Sequence, residues 1–509
     1  MSTSKNTTDN KQKKHDLHYK SATELLAMLA SKQISSVELL EASISRIEKL
    51  DKHINAVVIR DFERARLAAK AADIAIARGE RRPLHGLPIT VKECLNIAGL
   101  PTSWGDIKYK DWQPSSDALA ITRLKTAGAI ILGKTNVPLM LSDWQSYNEI
   151  YGTTNNPWDL SLTPGGSSGG SAAALAAGFV SLELGTDIAG SLRTPAHFCG
   201  VYAHKPSIDL VPLRGASPPT TQELPTRHDL PVIGPMARSA IDLDLALNIL
   251  AGPDDLSDGI GYKLALPPAR HNDLRNFRVL VLDTHPLCPT ASTVSRSIDH
   301  LIERLIKCGV AVSRDHQRVP DLAKIARIYY SLLKSFNAAG MPIESYQMLV
   351  KEAQVLSADD ASLTACGLRG TVSNHREWLM TMRIREQLRQ QWRNLGTEFD
   401  VVLCPVMPAL AFPHDHSPID KRQMKVDNAQ LPYIDQLVWI SIATLLGLPA
   451  TVVPIDAYET GLPIGMQIIG HYLEDRTTIA FARMIEREFG GFVPPPIDHV
   501  SYNYGSKSK

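Results

Sequence analysis

The chain has 509 residues, 44% of them hydrophobic and 21% charged, with a formal net charge of +1. That is ordinary globular composition with ample length for a large core, and it excludes a low-complexity or collagen-like chain. The near-neutral balance favours neither nucleic acid nor a membrane surface as a partner.

Residues 1–19 are polar and mildly basic, lack the apolar core of a signal peptide, and are expected as a disordered tail. The next part of the chain, 20–500, reads as one folded domain, and 501–509 reads as a flexible tail. Ser21-Ala-Thr-Glu24 and Ser35-Ser-Val-Glu38 both match the S-x-x-E capping box, with Leu40, Ile44 and Ile47 following at helical spacing. A charged, alanine-rich helix is expected over 61–78.

Short apolar runs then alternate with helical spacing. Strands are expected over 87–97, 129–137, 179–188, 277–283, 399–406, 450–455 and 464–470. Val294, Ile298, Leu301, Ile302, Leu305 and Ile306 mark a helix between them, and 315–397 reads as helical without a recognisable motif. The stretch 207–235, rich in Pro, Ser and Thr, reads as a long surface loop. Strand alternating with helix over the whole length implies an α/β architecture, a single large α/β/α domain with a mixed sheet covered by helices.

The six cysteines (94, 199, 288, 308, 366 and 404) have no C-x-x-C pair and no zinc-finger spacing, and read as free thiols in a reducing compartment. No run of about 18 apolar residues exists. The expected setting is cytoplasmic, with no membrane and no nucleic acid as partner.

The stretch 164–178, PGGSSGGSAAALAAG, raises the chemical question of which serine attacks. A flexible linker does not run into so strong a helix former as Ser-Ala-Ala-Ala-Leu-Ala-Ala. A Walker loop needs lysine where Ser171 stands, after Gly170. Gly165-Gly166-Ser167-Ser168-Gly169 is a literal G-x-S-x-G, but the nucleophile elbow of an α/β-hydrolase requires an apolar strand before it, and residues 156–164 are loop chemistry. Two other features stand apart: Ser191 follows an apolar run, 179–184, and the small-residue turn Ala189-Gly190; Lys92 sits alone in an apolar strand. Strand alternation sets Lys92 and Glu93 on opposite faces, so that one of them can be desolvated.

Together these pieces resemble the amidase signature family, over about 21–495, with a signature core of about 85–250. HGLPITVKE (85–93), GKTNVP (133–138), GTTNNPWD (152–159) and GLPIGMQIIG (461–470) support it. The resemblance implies an amide hydrolase with a Ser–cis-Ser–Lys triad: Lys92 the lysine, Ser167 the cis-serine, Ser191 the nucleophile. It also implies an oxyanion hole from the N–H groups of Ile188, Ala189, Gly190 and Ser191, with Ala189 where glycine is common. Supporting roles fall to Ser168 and Ser171, the latter expected to cap the helix and bond to the triad. Asp187 and Arg193 would orient the turn or form an ordinary ion pair, and Leu141 would line the acyl pocket or pack in the core.

No cofactor and no metal is expected. His414 and His416 have no third ligand at suitable spacing, and Cys199 reads as a small buried thiol rather than a nucleophile. The partner expected is a small-molecule amide, and homodimers occur in the family. The competing reading is the glutamine-hydrolysing subunit of a tRNA-dependent amidotransferase, although 329–342 lacks its glutamine-site pattern. A third is an α/β-hydrolase esterase using Ser167.

Overall fold

Both capping boxes form. Ser21 and Ser35 accept hydrogen bonds from the N–H groups of Glu24 and Glu38, whose carboxylates accept in return from the serine N–H groups. They start the helices Ala22–Ala30 and Ser36–Ile54. The computed structural model describes residues 17–456 and 460–499. The C-terminal tail and most of the N-terminal tail expected from the sequence therefore lie outside the described residues. Residues 17–19 do not fit that tail: Tyr19 donates from its hydroxyl to Asp498 Oδ2 at 2.9 Å, and Arg46 bonds both groups.

The core is one 11-stranded sheet. In chain order its strands are β1 (Val57–Arg60), β2 (Pro88–Lys92), β3 (Ile130–Thr135), β4 (Leu182–Asp187), β5 (Tyr202–Lys205), β6 (Val232–Ala237), β7 (Arg278–Val281), β8 (Ala311–Ser313), β9 (Val401–Pro405), β10 (Ala450–Asp456) and β11 (Ile464–Ile469). Their spatial order is β1-β3-β2-β4-β6-β5-β10-β11-β9-β7-β8. The sheet is mixed: β3, β2 and β4 run parallel, as do β9, β7 and β8, and the central strands pair antiparallel. Helices cover it, and β2, β3, β6, β9 and β11 are buried at every position, which is why all of them but β6 read as continuous apolar runs rather than alternating ones.

All seven expected strands are present within their expected windows or a residue beyond. The helix expected over 61–78 is Phe62–Ala77, and the middle third forms Leu322–Ala338, Ile343–Gln354, Leu363–Thr371 and His375–Leu395. One expectation needs correction. The loop expected over 207–235 ends in the buried strand β6. Gly234 and Pro235 disguise it as loop, yet a Cβ on Gly234 would lie 2.2 Å from His204 O, so the close approach of β5 requires glycine there.

For the site, the decisive feature is the parallel trio. Lys92, Thr135 and Asp187 are the last residues of β2, β3 and β4, so all three emerge at the same end of the sheet. Crevices at the carboxyl ends of parallel strands are where α/β sheets bind ligands.

Candidate active site

Lys92 is fully buried, and its Nζ donates to Ser167 Oγ at 2.7 Å and to Thr186 Oγ1 at 2.8 Å. Burial lowers its pKa to about 8, against the opposing charges of Cys94, Asp187 and Glu183. Glu93 is buried as well, not turned to solvent. Its carboxylate accepts from Ser103 N (2.6 Å), Ser103 Oγ (2.7 Å) and Trp104 N (3.0 Å). Both faces of β2 are covered, so both neighbours are desolvated.

Ser167 follows a cis peptide bond from Gly166. A Cβ on Gly166 would fall 2.5 Å from Asp143 O and 2.7 Å from Gln145 N, so backbone of the segment 143–145 packs directly on this loop. That segment is anchored in turn: Asp143 accepts from Arg422 Nη1 at 2.6 Å and from the Tyr433 hydroxyl at 2.9 Å.

Ser191 lies just beyond β4, at the turn into the helix Arg193–Cys199. The turn passes through Gly190 at φ +84°, where a Cβ would meet Ile440 Cδ1 at 2.7 Å and Thr194 Oγ1 at 2.9 Å. Ser168 N donates to Ser191 O at 3.2 Å, which ties the turn to the cis-serine loop. Lys92 and Ser167 thus touch through their side chains, and Ser191 is tied to their loop through the backbone N–H of Ser168. Among the described residues Ser191 Oγ makes no hydrogen bond, to Ser167 or to any other group.

Asp187 and Arg193 pair with each other, both fully buried: Nε to Oδ2 is 3.0 Å and Nη2 to Oδ1 is 2.9 Å. Burial alone would raise the Asp187 pKa, but the Arg193 charge and its hydrogen bonds outweigh that and hold it below the ordinary value. Asp187 also accepts from Gly190 N (3.0 Å) and Leu192 N (3.1 Å), so the pair braces the turn around Ser191. Arg193 reaches further, to Ile440 O (2.9 Å), Gln467 Oε1 (2.7 Å) and Thr444 Oγ1 (2.7 Å).

Two sequence expectations change here. Gly190 N–H is engaged by Asp187, so it is not one of the N–H groups free to face a substrate; those of Ile188, Ala189 and Ser191 carry no partner among the described residues. Ser171 neither caps its helix nor bonds to Lys92, Ser167 or Ser191. It lies inside the helix Gly169–Ala176, and its Oγ meets Thr135 Oγ1 at 2.8 Å. Thr135 in turn donates to Glu183 Oε1 at 2.8 Å. Ser168 Oγ donates to Thr186 O at 3.2 Å. Leu141 ends the short turn Leu139–Leu141 at φ +59°, half-buried against the core.

Four residues at the site escaped sequence reasoning. Thr186, the second hydroxyl on Lys92, carries no signal beyond its place between Gly185 and Asp187. Glu183 was visible as the charge that interrupts the apolar run of β4; it is fully buried, and burial raises its carboxyl to about 7 despite the hydrogen bond from Thr135. Trp144 donates from Nε1 to Ala189 O at 2.7 Å, and Tyr329 donates from its hydroxyl to Ile188 O at 2.8 Å. Neither has any sequence mark to tell it from a core aromatic.

Cys199 is buried, its Sγ 3.4 Å from Pro164 O, and burial pushes the thiol far above its ordinary value. His416 stacks on Tyr147 with ring centroids 3.7 Å apart. Among the described residues no group of three His, Cys, Asp or Glu side chains is placed to hold a metal ion, and no helix is long and apolar enough to cross a membrane.

A buried amine poised on a serine at the mouth of three parallel strands is the geometry of a hydrolase site, and comparison with known proteins gives its family. The family model described as Amidase matches residues 38–479, and the chain belongs to that family. It is 32% identical over 502 residues to Fatty-acid amide hydrolase 2-A of Danio rerio, covering 93% of this chain and 90% of that one. It is 33% identical over 493 residues to a glutamyl-tRNA(Gln) amidotransferase subunit of Anaeromyxobacter dehalogenans (92% and 96% covered). Indoleacetamide hydrolase of Bradyrhizobium diazoefficiens is 33% identical over 477 residues (92% and 86%). Among solved structures, a bacterial aryl acylamidase of the amidase signature family superimposes with a TM-score of 0.77 at 26% identity, over 93% of this chain and 96% of that one. The protein is an amidase, a hydrolase of amide C–N bonds.

Proposed function

We propose that this amidase works through an acyl-serine intermediate in which Ser191 is the nucleophile, Ser167 relays the proton and Lys92 is the base. The observation that carries the reading is the 2.7 Å contact between Lys92 Nζ and Ser167 Oγ in a buried site. A serine hydroxyl needs a base, and a lysine serves only when neutral, which burial makes accessible near neutral pH. Ser191 Oγ attacks the amide carbon as its proton passes to Ser167 and the Ser167 proton passes to Lys92. The carbonyl oxygen takes up the negative charge, facing the N–H groups of Ile188, Ala189 and Ser191. Collapse breaks the C–N bond, the proton returns through Ser167 to the leaving nitrogen, and ammonia or an amine departs. Water, deprotonated along the same path, then attacks the ester carbon, the bond to Ser191 Oγ breaks, and the proton returns through Ser167 to Ser191 as the carboxylate departs. Ser168, Asp187 and Arg193 hold the two loops in register, and Leu141 contributes to the acyl pocket.

The substrate is a small-molecule amide, and the enzyme acts as a free-standing hydrolase in the cytoplasm, alone or as a homodimer. Fatty-acid amide hydrolase 2-A and indoleacetamide hydrolase are named for such reactions. The test is to label the pure protein with a fluorophosphonate and locate the modified serine by peptide mass spectrometry. Label on Ser191 supports the assignment, whereas label on Ser167 overturns it in favour of the G-x-S-x-G elbow. No label, with no turnover of short aliphatic, aryl or fatty amides, favours a subunit that hydrolyses glutamine only within its complex.

A further inference from the structure

A trans peptide unit points its C=O and the next residue's N–H in opposite directions, so fixing a carbonyl aims the N–H that follows it. In the turn 188–191 every carbonyl is fixed. Ile188 O accepts from the Tyr329 hydroxyl at 2.8 Å, Ala189 O from Trp144 Nε1 at 2.7 Å, Gly190 O from Thr194 N at 2.7 Å, and Ser191 O from Ser168 N at 3.2 Å. The unit between Ala189 and Gly190 is held at both ends, by Trp144 on its oxygen and by Asp187 on its N–H. The units on either side are held at the oxygen only. Their N–H groups, those of Ala189 and Ser191, carry no protein partner among the described residues.

This pattern follows if the two side-chain donors exist to aim backbone N–H groups rather than to fill space. Both are fixed themselves. Tyr329 is fully buried on the helix Leu322–Ala338, and burial holds its phenol protonated, so it remains a donor. Trp144 is buried against Tyr433, ring centroids 5.3 Å apart, beside Asp143 with its Arg422 and Tyr433 bonds.

We infer that Tyr329 and Trp144 are positioning residues of the oxyanion site, Tyr329 aiming the Ala189 N–H by holding Ile188 O, and Trp144 locking the middle unit so that the N–H groups on either side keep their directions. The inference rests on the proposed role of Ser191. It gives the motif-free helical region a chemical task, since Tyr329 reaches across 141 residues of sequence to act on the turn.

The test is the kinetics of fluorophosphonate labelling, because phosphonylation of Ser191 builds negative charge on the phosphoryl oxygen and needs no known substrate. Tyr329→Phe and Trp144→Phe each remove one donor and keep an aromatic ring. Losing an oxyanion donor outright costs about 100- to 1,000-fold; loosening one by removing its support should lower the maximal labelling rate by about ten-fold or more. The expected result is that fall with the half-saturating probe concentration unchanged, alongside a modest drop in melting temperature from the lost buried hydrogen bond. A purely structural role would lower the melting temperature and leave the maximal labelling rate of the folded protein as it is in the wild type. An unchanged maximal rate in both folded variants overturns the inference, as does an effect confined to the probe concentration. If one variant does not fold, the other decides. Peptide mapping of the wild type separates the two levels: label away from Ser191 removes the catalytic reading itself, whereas label on Ser191 with unaffected variants removes only the positioning role.

Discussion

Replacing Lys92 with methionine should abolish activity and stabilise the protein near neutral pH, by an amount that fades as pH rises. Lys92 titrates at its ordinary 10.5 in the unfolded chain and at about 8 in the fold. At about 1.4 kcal/mol per pH unit, that difference is about 3 kcal/mol against the charged form. The sign follows from proton counts. Between pH 8 and 10.5 the unfolded chain binds a proton that the folded protein does not, so wild-type stability rises with pH through that window and the penalty is full below pH 8. Methionine carries no such penalty. It does forfeit the hydrogen bonds to Ser167 and Thr186, about 1 kcal/mol each, leaving a net gain at pH 7 of about 1 kcal/mol. The cleaner quantity is the pH dependence of the difference. Urea unfolding of both proteins should show the wild type recovering between about 2 and 3 kcal/mol relative to Lys92→Met from pH 7 to pH 10. In the same samples kcat/KM of the wild type should rise about ten-fold per pH unit below pH 8 and level off above it. A stability difference that is flat with pH would mean that the amine is not desolvated, and the account of Lys92 as a base would fail with it.

Glu183→Gln tests the buried carboxyl behind the lysine. The Glu183 charge favours protonated Lys92, so its removal should move the acid limb of the pH–kcat/KM profile to lower pH, and an unmoved limb would deny any electrostatic link between them. Asp187→Asn leaves the fully buried Arg193 without its counter-charge; unfolding should register a loss of about 3–5 kcal/mol, and a loss under about 1 kcal/mol would mean that the pair is dispensable to the fold.

What could be read ahead of the structure depended on whether a residue's task leaves a local pattern. The strands β2, β3, β4 and β9 are buried on both faces, so they stand out as apolar runs. Ser21 and Ser35 announce their helices because a capping box is entirely local. The strand β6 stayed hidden because its glycine answers to a neighbour, β5, that lies 30 residues back along the chain rather than to its own turn propensity. At the site, a resemblance picked out Lys92, Ser167 and Ser191, of which the structure brings Lys92 and Ser167 into side-chain contact, and the reading of Ser171 as a cap failed because the helix begins two residues ahead of it. Trp144 and Tyr329 were illegible for a different reason. Each is defined by which carbonyl it meets, 45 and 141 residues away, and an aromatic side chain in an apolar setting gives no sign of that partner.

The reach of Arg193 sets a timetable for the enzyme's birth. Its guanidinium closes on Ile440 O, 247 residues downstream, and on Gln467, 274 residues downstream. At about 5–20 residues per second a ribosome adds those residues on the order of 12 to 55 s after Arg193 itself. Through that interval Arg193 can meet Asp187 but not Ile440, Thr444 or Gln467, so the turn bearing Ser191 lacks the floor beneath it. A nascent chain carrying all three residues of the proposed triad would therefore lack the braced turn, and hydrolytic competence should arrive only once the late strands have entered the sheet.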